Sequence, residues 1–133
     1  MAILAGFGAI QMTSGLAHAK VRRAATILSA DLHYAQGMAA RQRRPVVVIL
    51  NSSLRFYVIR DRGSAVVYRR RFMGDDTDYG VETLSAEPSG TIEVFPNGAV
   101  RTNTTFTVGL QDYERQVTLS RAGQIRLLPF NGS

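Results

Sequence analysis

The 133-residue chain contains no cysteine. That excludes disulfides, zinc–thiolate centres and a cysteine nucleophile, and it leaves the compartment open. Histidine is nearly absent as well, with only His18 and His33. Both fall on one predicted helix about four turns apart, too far for a shared metal or a catalytic triad. Each reads as a lone surface histidine, and an enzyme needs a nucleophile, a base and an orienting group in one place. The chain is therefore read as a non-enzyme with no cofactor. A membrane-spanning helix needs roughly 20 consecutive apolar residues, and the uncharged opening MAILAGFGAI is about half of that. No basic stretch precedes this run, so the order of a secretory signal is reversed, although Ala17-His18-Ala19 loosely resembles a cleavage site. Proline is missing from the first 44 residues.

What is present is arginine. The net charge is +6, from fifteen arginines and the single Lys20 against ten acidic residues. Such a balance suits nucleic acid or anionic lipid, while the scatter of the arginines also fits a plain preference for arginine over lysine. The length and ordinary hydrophobic content fit one domain with a core.

The first third predicts one long helix. Apolar residues recur at Ile3, Phe7, Ile10, Ala17, Val21, Ala24, Leu28, Leu32, Ala35 and Met38, the spacing of a single helical stripe. Pro45 ends it, since a residue preceding proline is driven out of the helical region. Arg41, Arg43 and Arg44 suit the negative end of the helix dipole. About 40 helical residues measure about 60 Å, longer than a domain of this size is wide, so the apolar start is expected to project. After Pro45 the pattern turns to strands. VVVIL at 46–50 predicts a strand buried on both faces. Further strands are predicted at 54–60, 65–68, 81–84, 91–95, 99–101, 104–110, 115–120 and 124–128, with hairpin turns such as Pro96-Asn97-Gly98. With no helical crossover after Pro45 the sheets should be antiparallel. The expected fold class is α+β, a long N-terminal helix packed on antiparallel β-sheets.

Three stretches then resemble one family. ADLHYAQGMAARQRRPV at 30–46 looks like a helix of the L-x-x-A-R-x-x-A kind running into a basic, proline-led first strand. IEVFPNG at 92–98 looks like an I-x-F-x-x-x-G strand and turn, and RQVTLSRAGQIR at 115–126 like a V-x-V-S strand closing into a G-R-V-R end. In this order they resemble the type IV pilin-like proteins, and among them the GspH/FimT family of minor pseudopilins. The resemblance implies a pilin-like fold with residues 1–16 as the membrane or stalk half of the helix. Residues 17–133 would form the globular domain, an amphipathic helix at 17–44 and β-sheets at 45–128. It implies a structural subunit that helps initiate or cap a filament in type II protein secretion or type IV pilus assembly. The partners would be other pilin or pseudopilin subunits and the assembly platform. The helix would hold the chain in the bacterial inner membrane, single-pass, with the domain in the periplasm until it enters a pilus or pseudopilus. Family precursors open with a basic leader, a glycine cleavage site and F-x-L-x-E, none of which is here, so 1–10 looks like the second half of the stalk helix and the motif's glutamate has no counterpart.

Three sets of candidate residues follow. Ile3, Phe7, Ile10, Ala17, Val21, Leu28 and Leu32 form the assembly stripe, with Gly6, Gly8 and Gly15 allowing close helix approach. Lys20, Arg22 and Arg23 could pair with acidic residues of neighbouring subunits or with lipid head groups. The acidic loop at 75–82 reads either as a solvated loop or as a calcium candidate through Asp76, Asp78 and Glu82, though EF-hand spacing is absent. Arg69, Arg70 and Arg71, expected at a strand end, with Arg101, Arg121 and Arg126, either line a solvated face or contact DNA phosphates. The resemblance adds that some family members serve DNA uptake through basic C-terminal residues, matched here by Arg121 and Arg126.

Overall fold

The computed structural model describes residues 2–129, with side chains described from residue 15 onward. Helix α1 (Ala2–Gln42) opens the chain. It ends two residues before the boundary the sequence predicts. Arg43 adopts a left-handed φ of 56°, and the Arg44 N–H donates back to the Ala39 carbonyl at 3.3 Å. That pairing is a Schellman turn with arginine where glycine is usual, so the helix is closed before Pro45 acts on it.

Eight strands follow: β1 (Val46–Asn51), β2 (Phe56–Asp61), β3 (Val67–Phe72), β4 (Thr83–Glu87), β5 (Thr91–Val94), β6 (Thr104–Leu110), β7 (Tyr113–Leu119) and β8 (Ile125–Leu127). They form two four-stranded sheets, β3-β2-β1-β5 and β4-β6-β7-β8, and every pairing is antiparallel. This is the α+β arrangement expected, with α1 laid across both sheets. Two strand expectations need correction. The strand placed at 65–68 begins at Val67 and runs on to Phe72, so Arg69, Arg70 and Arg71 lie inside it rather than at its end. The strand placed at 99–101 reduces to one bridge between Val100 and Val94, because the chain turns away at once toward Asn103, whose side chain accepts the Arg121 N–H at 2.7 Å.

The helical stripe reaches the core as its period requires. Ala17, Val21, Ala24, Ala25, Leu28, Leu32, Ala35 and Ala39 are buried, and Met38 packs at the margin. From Ala24 onward they join one cluster with Val46, Val48, Leu50, Tyr57, Ile59, Ile92 and Val94 from the first sheet, and Leu84, Phe106, Val108, Val117 and Leu119 from the second. Each large side chain so buried stabilises by about 1.5–3 kcal/mol. Small residues on the helix and large ones on the sheets let α1 sit close to both. Ile3, Phe7 and Ile10 lie outside the residues with described side chains. Among the described residues, no helix is long and apolar enough to cross a membrane.

Candidate functional site

Asp31 interrupts the apolar stripe between Leu28 and Leu32, and it is buried under sheet one. A lone carboxylate there would be costly; this one is met by three donors. The Tyr57 hydroxyl donates to Oδ2. Arg69 Nη1 donates to Oδ1 at 2.8 Å. Arg71 bonds in two-pronged fashion, Nε to Oδ2 at 2.9 Å and Nη2 to Oδ1 at 3.1 Å. The register explains the convergence: Arg71 stands opposite Tyr57 and Arg69 opposite Ile59, both on the face toward α1. Burial works to raise the Asp31 pKa, but the bonds from Arg71, Tyr57 and Arg69 and the Arg71 charge outweigh it, and the carboxyl is held below its ordinary 3.8. Burial, and next the Asp31 charge, push the Tyr57 hydroxyl far above its usual value, so it stays a neutral donor. The Arg69 guanidinium also lies 3.9 Å above the Tyr34 ring.

The basic residues therefore divide. Arg69 and Arg71 spend their charge on Asp31 and tie the helix to the sheet, leaving them poorly placed for phosphate. Arg101 pairs with Glu93 at 3.4 Å and lies over Phe95. Glu93 also takes Arg62 at 2.6 Å. Burial would raise the Glu93 pKa, yet Arg62 and then Arg101 bring it below its usual value. Arg70, Arg121 and Arg126 are exposed, and among the described residues no hydrogen bond or ion pair engages their guanidinium groups.

The acidic loop does not assemble as a site. Thr77 closes it on the Gly74 carbonyl through its hydroxyl at 2.8 Å and its N–H at 3.1 Å. Asp75 pairs with Arg55, and Glu82 turns to the Gln111 N–H at 3.4 Å. Asp76, Asp78 and Glu82 are left exposed and apart. Among the described residues no three His, Asp or Glu side chains gather as a metal site would require. The loop instead rests on α1: the Arg23 guanidinium lies 5.5 Å from the Tyr79 ring, and the Lys20 side chain packs against Gly80. Arg22, in the same basic cluster, is exposed. His33 is exposed as expected, but His18 is half-buried, its ring edge-on to Tyr113 at 5.3 Å, because the β6–β7 hairpin folds over that turn of the helix.

A second junction joins the helix to the two sheets at their other end. Gln36 Nε2 donates to the Gly123 carbonyl at 2.7 Å and to the Gly98 carbonyl at 3.2 Å. The two glycine turns interlock beneath it. At Gly123, with φ 93°, a Cβ would stand 2.5 Å from the Gly98 oxygen. These are the two turns quoted from the sequence at 92–98 and 115–126, so the motifs meet in space around one helix glutamine.

The family model described as type II transport protein GspH matches residues 24–123. The chain belongs to the GspH family. The matched stretch of this GspH-family chain contains the Asp31 cluster, Gln36 and both interlocked turns, while Ala17, Val21 and Arg126 lie outside it. The fold is similar to the type IV minor pilin FimU of Pseudomonas aeruginosa PAO1, with a TM-score of 0.68 and 25% identity over 85% of this chain and 93% of that one. A second crystal form of FimU matches at TM-score 0.67 and 25% identity, covering 84% of this chain and 98% of that one. The minor pseudopilin EpsH from the type 2 secretion system of Vibrio cholerae has the same fold at TM-score 0.65 and 17% identity, over 82% and 96% of the two chains. No curated protein matches the sequence. The GspH-family chain is thus a pilin-like protein of the type IV pilus and type II secretion class.

Sequence reasoning did not single out Asp31, Tyr57, Gln36 or Glu93. Asp31 had a signal, a carboxylate on the buried stripe of an otherwise apolar helix face. Tyr57 and Gln36 had none, because their partners are 26 or more residues away; for Glu93, Arg101 is only 8 residues away but Arg62 is 31.

Proposed function

We propose that this GspH-family chain is a minor pilin or pseudopilin that helps start or cap a short filament, in type II secretion or in type IV pilus assembly. The observation that carries the reading is the single helix α1 laid across two antiparallel sheets, in the arrangement shared with FimU. The work of such a subunit is packing. Residues 1–16, with Ile3, Phe7 and Ile10, serve the stalk and the inner membrane; residues 17–133 form the periplasmic domain. Ala17, Val21, Leu28 and Leu32 hold that domain to its helix, and other subunits and the assembly platform are its partners. The chain has no cysteine, so Ala30→Cys on the exposed helix face cannot form a disulfide within its own chain, and an adduct with another protein is told from a dimer of the variant by its mass. The expected result is loss of pili or of secretion on deletion of the gene, and a disulfide adduct with a second pilin-like subunit carrying its own introduced cysteine. Normal filaments and secretion without the protein would overturn the reading.

A DNA-uptake role is a second reading, favoured by the uncompensated, exposed Arg70, Arg121 and Arg126. Fluorescence anisotropy with duplex DNA at two salt concentrations decides it. Micromolar binding that weakens steeply with salt, and is lost in the Arg121→Ala, Arg126→Ala double variant, supports uptake; no binding at low salt removes it.

A further inference from the structure

The outward face of the β3-β2-β1-β5 sheet is unlike the rest of the surface. In β1, Val46, Val48 and Leu50 face the helix, opposite Asp61, Ile59 and Tyr57. Ile49 therefore points away from the helix, beside Val58, and the next pair outward is Phe56 with Phe72. Those two rings stack at 5.3 Å. Phe72 is 53% exposed on this face, and Leu54, in the turn between β1 and β2 next to it, is 65% exposed; Val66, 54% exposed, precedes β3 with its carbonyl on the Asp61 N–H and does not continue the face. Among the described residues the one other exposed large hydrophobic is Leu16. Monomers seldom leave so concentrated an apolar patch in water without a use for it.

Charge narrows what covers the patch. Arg70 stands opposite Val58 on the same face and has no partner among the described residues. Arg60 donates to the backbone oxygens of Asp61 and Ser64, not to a carboxylate. Arg62 and Arg101 share the single Glu93. An apolar floor thus carries an excess of guanidinium groups. We infer that this face docks a different pilin-like subunit, one presenting apolar side chains flanked by carboxylates. The inference rests on the filament-subunit reading above and adds the surface and the partner's chemistry.

A second copy of the chain fits poorly. Its exposed carboxylates lie on the 75–82 loop and at Glu87 and Asp112, where the outward neighbours along the other sheet are Thr83, Ser85, Thr105 and Thr107 and no exposed large hydrophobic is present. Face to face, two copies would set Arg70 near Arg70, and like charges across an interface are strongly disfavoured. Duplex DNA would satisfy Arg60 and Arg70 but leave Leu54 and Phe72 with nothing apolar to meet.

A photo-crosslinking phenylalanine derivative at Phe72, in the full chain and in the cells that make it, tests the assignment, with the same probe at Thr107 on the opposite sheet and at Ala30 on the helix. The expected result is one adduct from position 72 and none from 107. Mass spectrometry identifies its partner as a different pilin-like subunit. Arg70→Glu, at an exposed position, lowers the yield by about tenfold or more, and reversing a carboxylate on the partner restores it. An adduct of twice the chain's own mass, a nuclease-sensitive adduct, or an adduct indifferent to Arg70→Glu would overturn the proposal. So would silence at 72 while position 30 still crosslinks to a filament subunit. If position 30 is silent as well, the filament reading itself falls, and the docking face with it.

Discussion

The two sheets hold the same helix by different physics. Sheet one grips α1 through a buried carboxylate, with Asp31 receiving Tyr57, Arg69 and Arg71. The second sheet grips it through apolar side chains, with Phe106, Val117 and Leu119 against the helix stripe. Apolar packing depends on shape and area and is indifferent to pH over the ordinary range. A buried ionic cluster depends on protonation and on every donor being present. One helix therefore answers to two kinds of perturbation, and substitutions separate them.

The largest effect is expected on the apolar side. Phe106→Ala should cost about 3–5 kcal/mol through lost transfer energy and a residual cavity, with the same loss in urea unfolding at pH 7 and pH 4. On the ionic side, Asp31→Asn should cost about 3 kcal/mol at pH 7. That is the low end for a broken buried pair, because Arg69 and Arg71 side chains keep 37% and 27% of their surface in water. The pH dependence gives the sharper contrast. The folded Asp31 pKa lies below the ordinary 3.8, so the stabilisation is fully present above the unfolded value and is lost as pH falls through the folded one. The gap in urea midpoint between the natural chain and Asp31→Asn should be constant from about pH 7 to about pH 5 and close below about pH 4. A gap that does not narrow at all between pH 5 and pH 2 would assign Asp31 a role in shape rather than charge.

Smaller effects test the junction where both sheets meet the helix. Gly123→Ala should destabilise by about 2 kcal/mol, combining a left-handed backbone penalty with a Cβ placed 2.5 Å from the Gly98 oxygen. Thermal unfolding reads this directly, and Gln36→Ala should cost less, about 1 kcal/mol for one lost set of hydrogen bonds. At the helix end the sign reverses. Arg43→Gly should raise stability by about 1 kcal/mol, since glycine adopts the φ of 56° without the side-chain clash.

How much of this was legible beforehand follows from how local each cause is. The helix stripe, the strand at 104–110 and the turns at Gly98 and Gly123 follow from short-range rules of period and backbone freedom, and the structure has them where the residues predict. The strand carrying Arg69, Arg70 and Arg71 did not follow. Three consecutive arginines look like a solvated end, and they remain in a strand because Asp31, 38 and 40 residues away, takes up Arg69 and Arg71. The same distance hides the roles within the basic set. Nothing local distinguishes Arg70, which faces outward, from its two neighbours; alternation along β3 and its register with β2 make the difference.

The opposite case is the acidic loop, where Asp76, Asp78 and Glu82 are close in sequence yet apart in space. Thr77 and Gly74 close the turn within the loop, while Gln111 draws Glu82 away. By itself, then, the sequence determined the element types, the family and the buried stripe of the helix, because period, turn chemistry and ordered motifs act within a few residues. Only the tertiary structure decided which charges are spent inside and which face water, because that depends on partners brought together by sheet register and by the line along which one helix crosses two sheets.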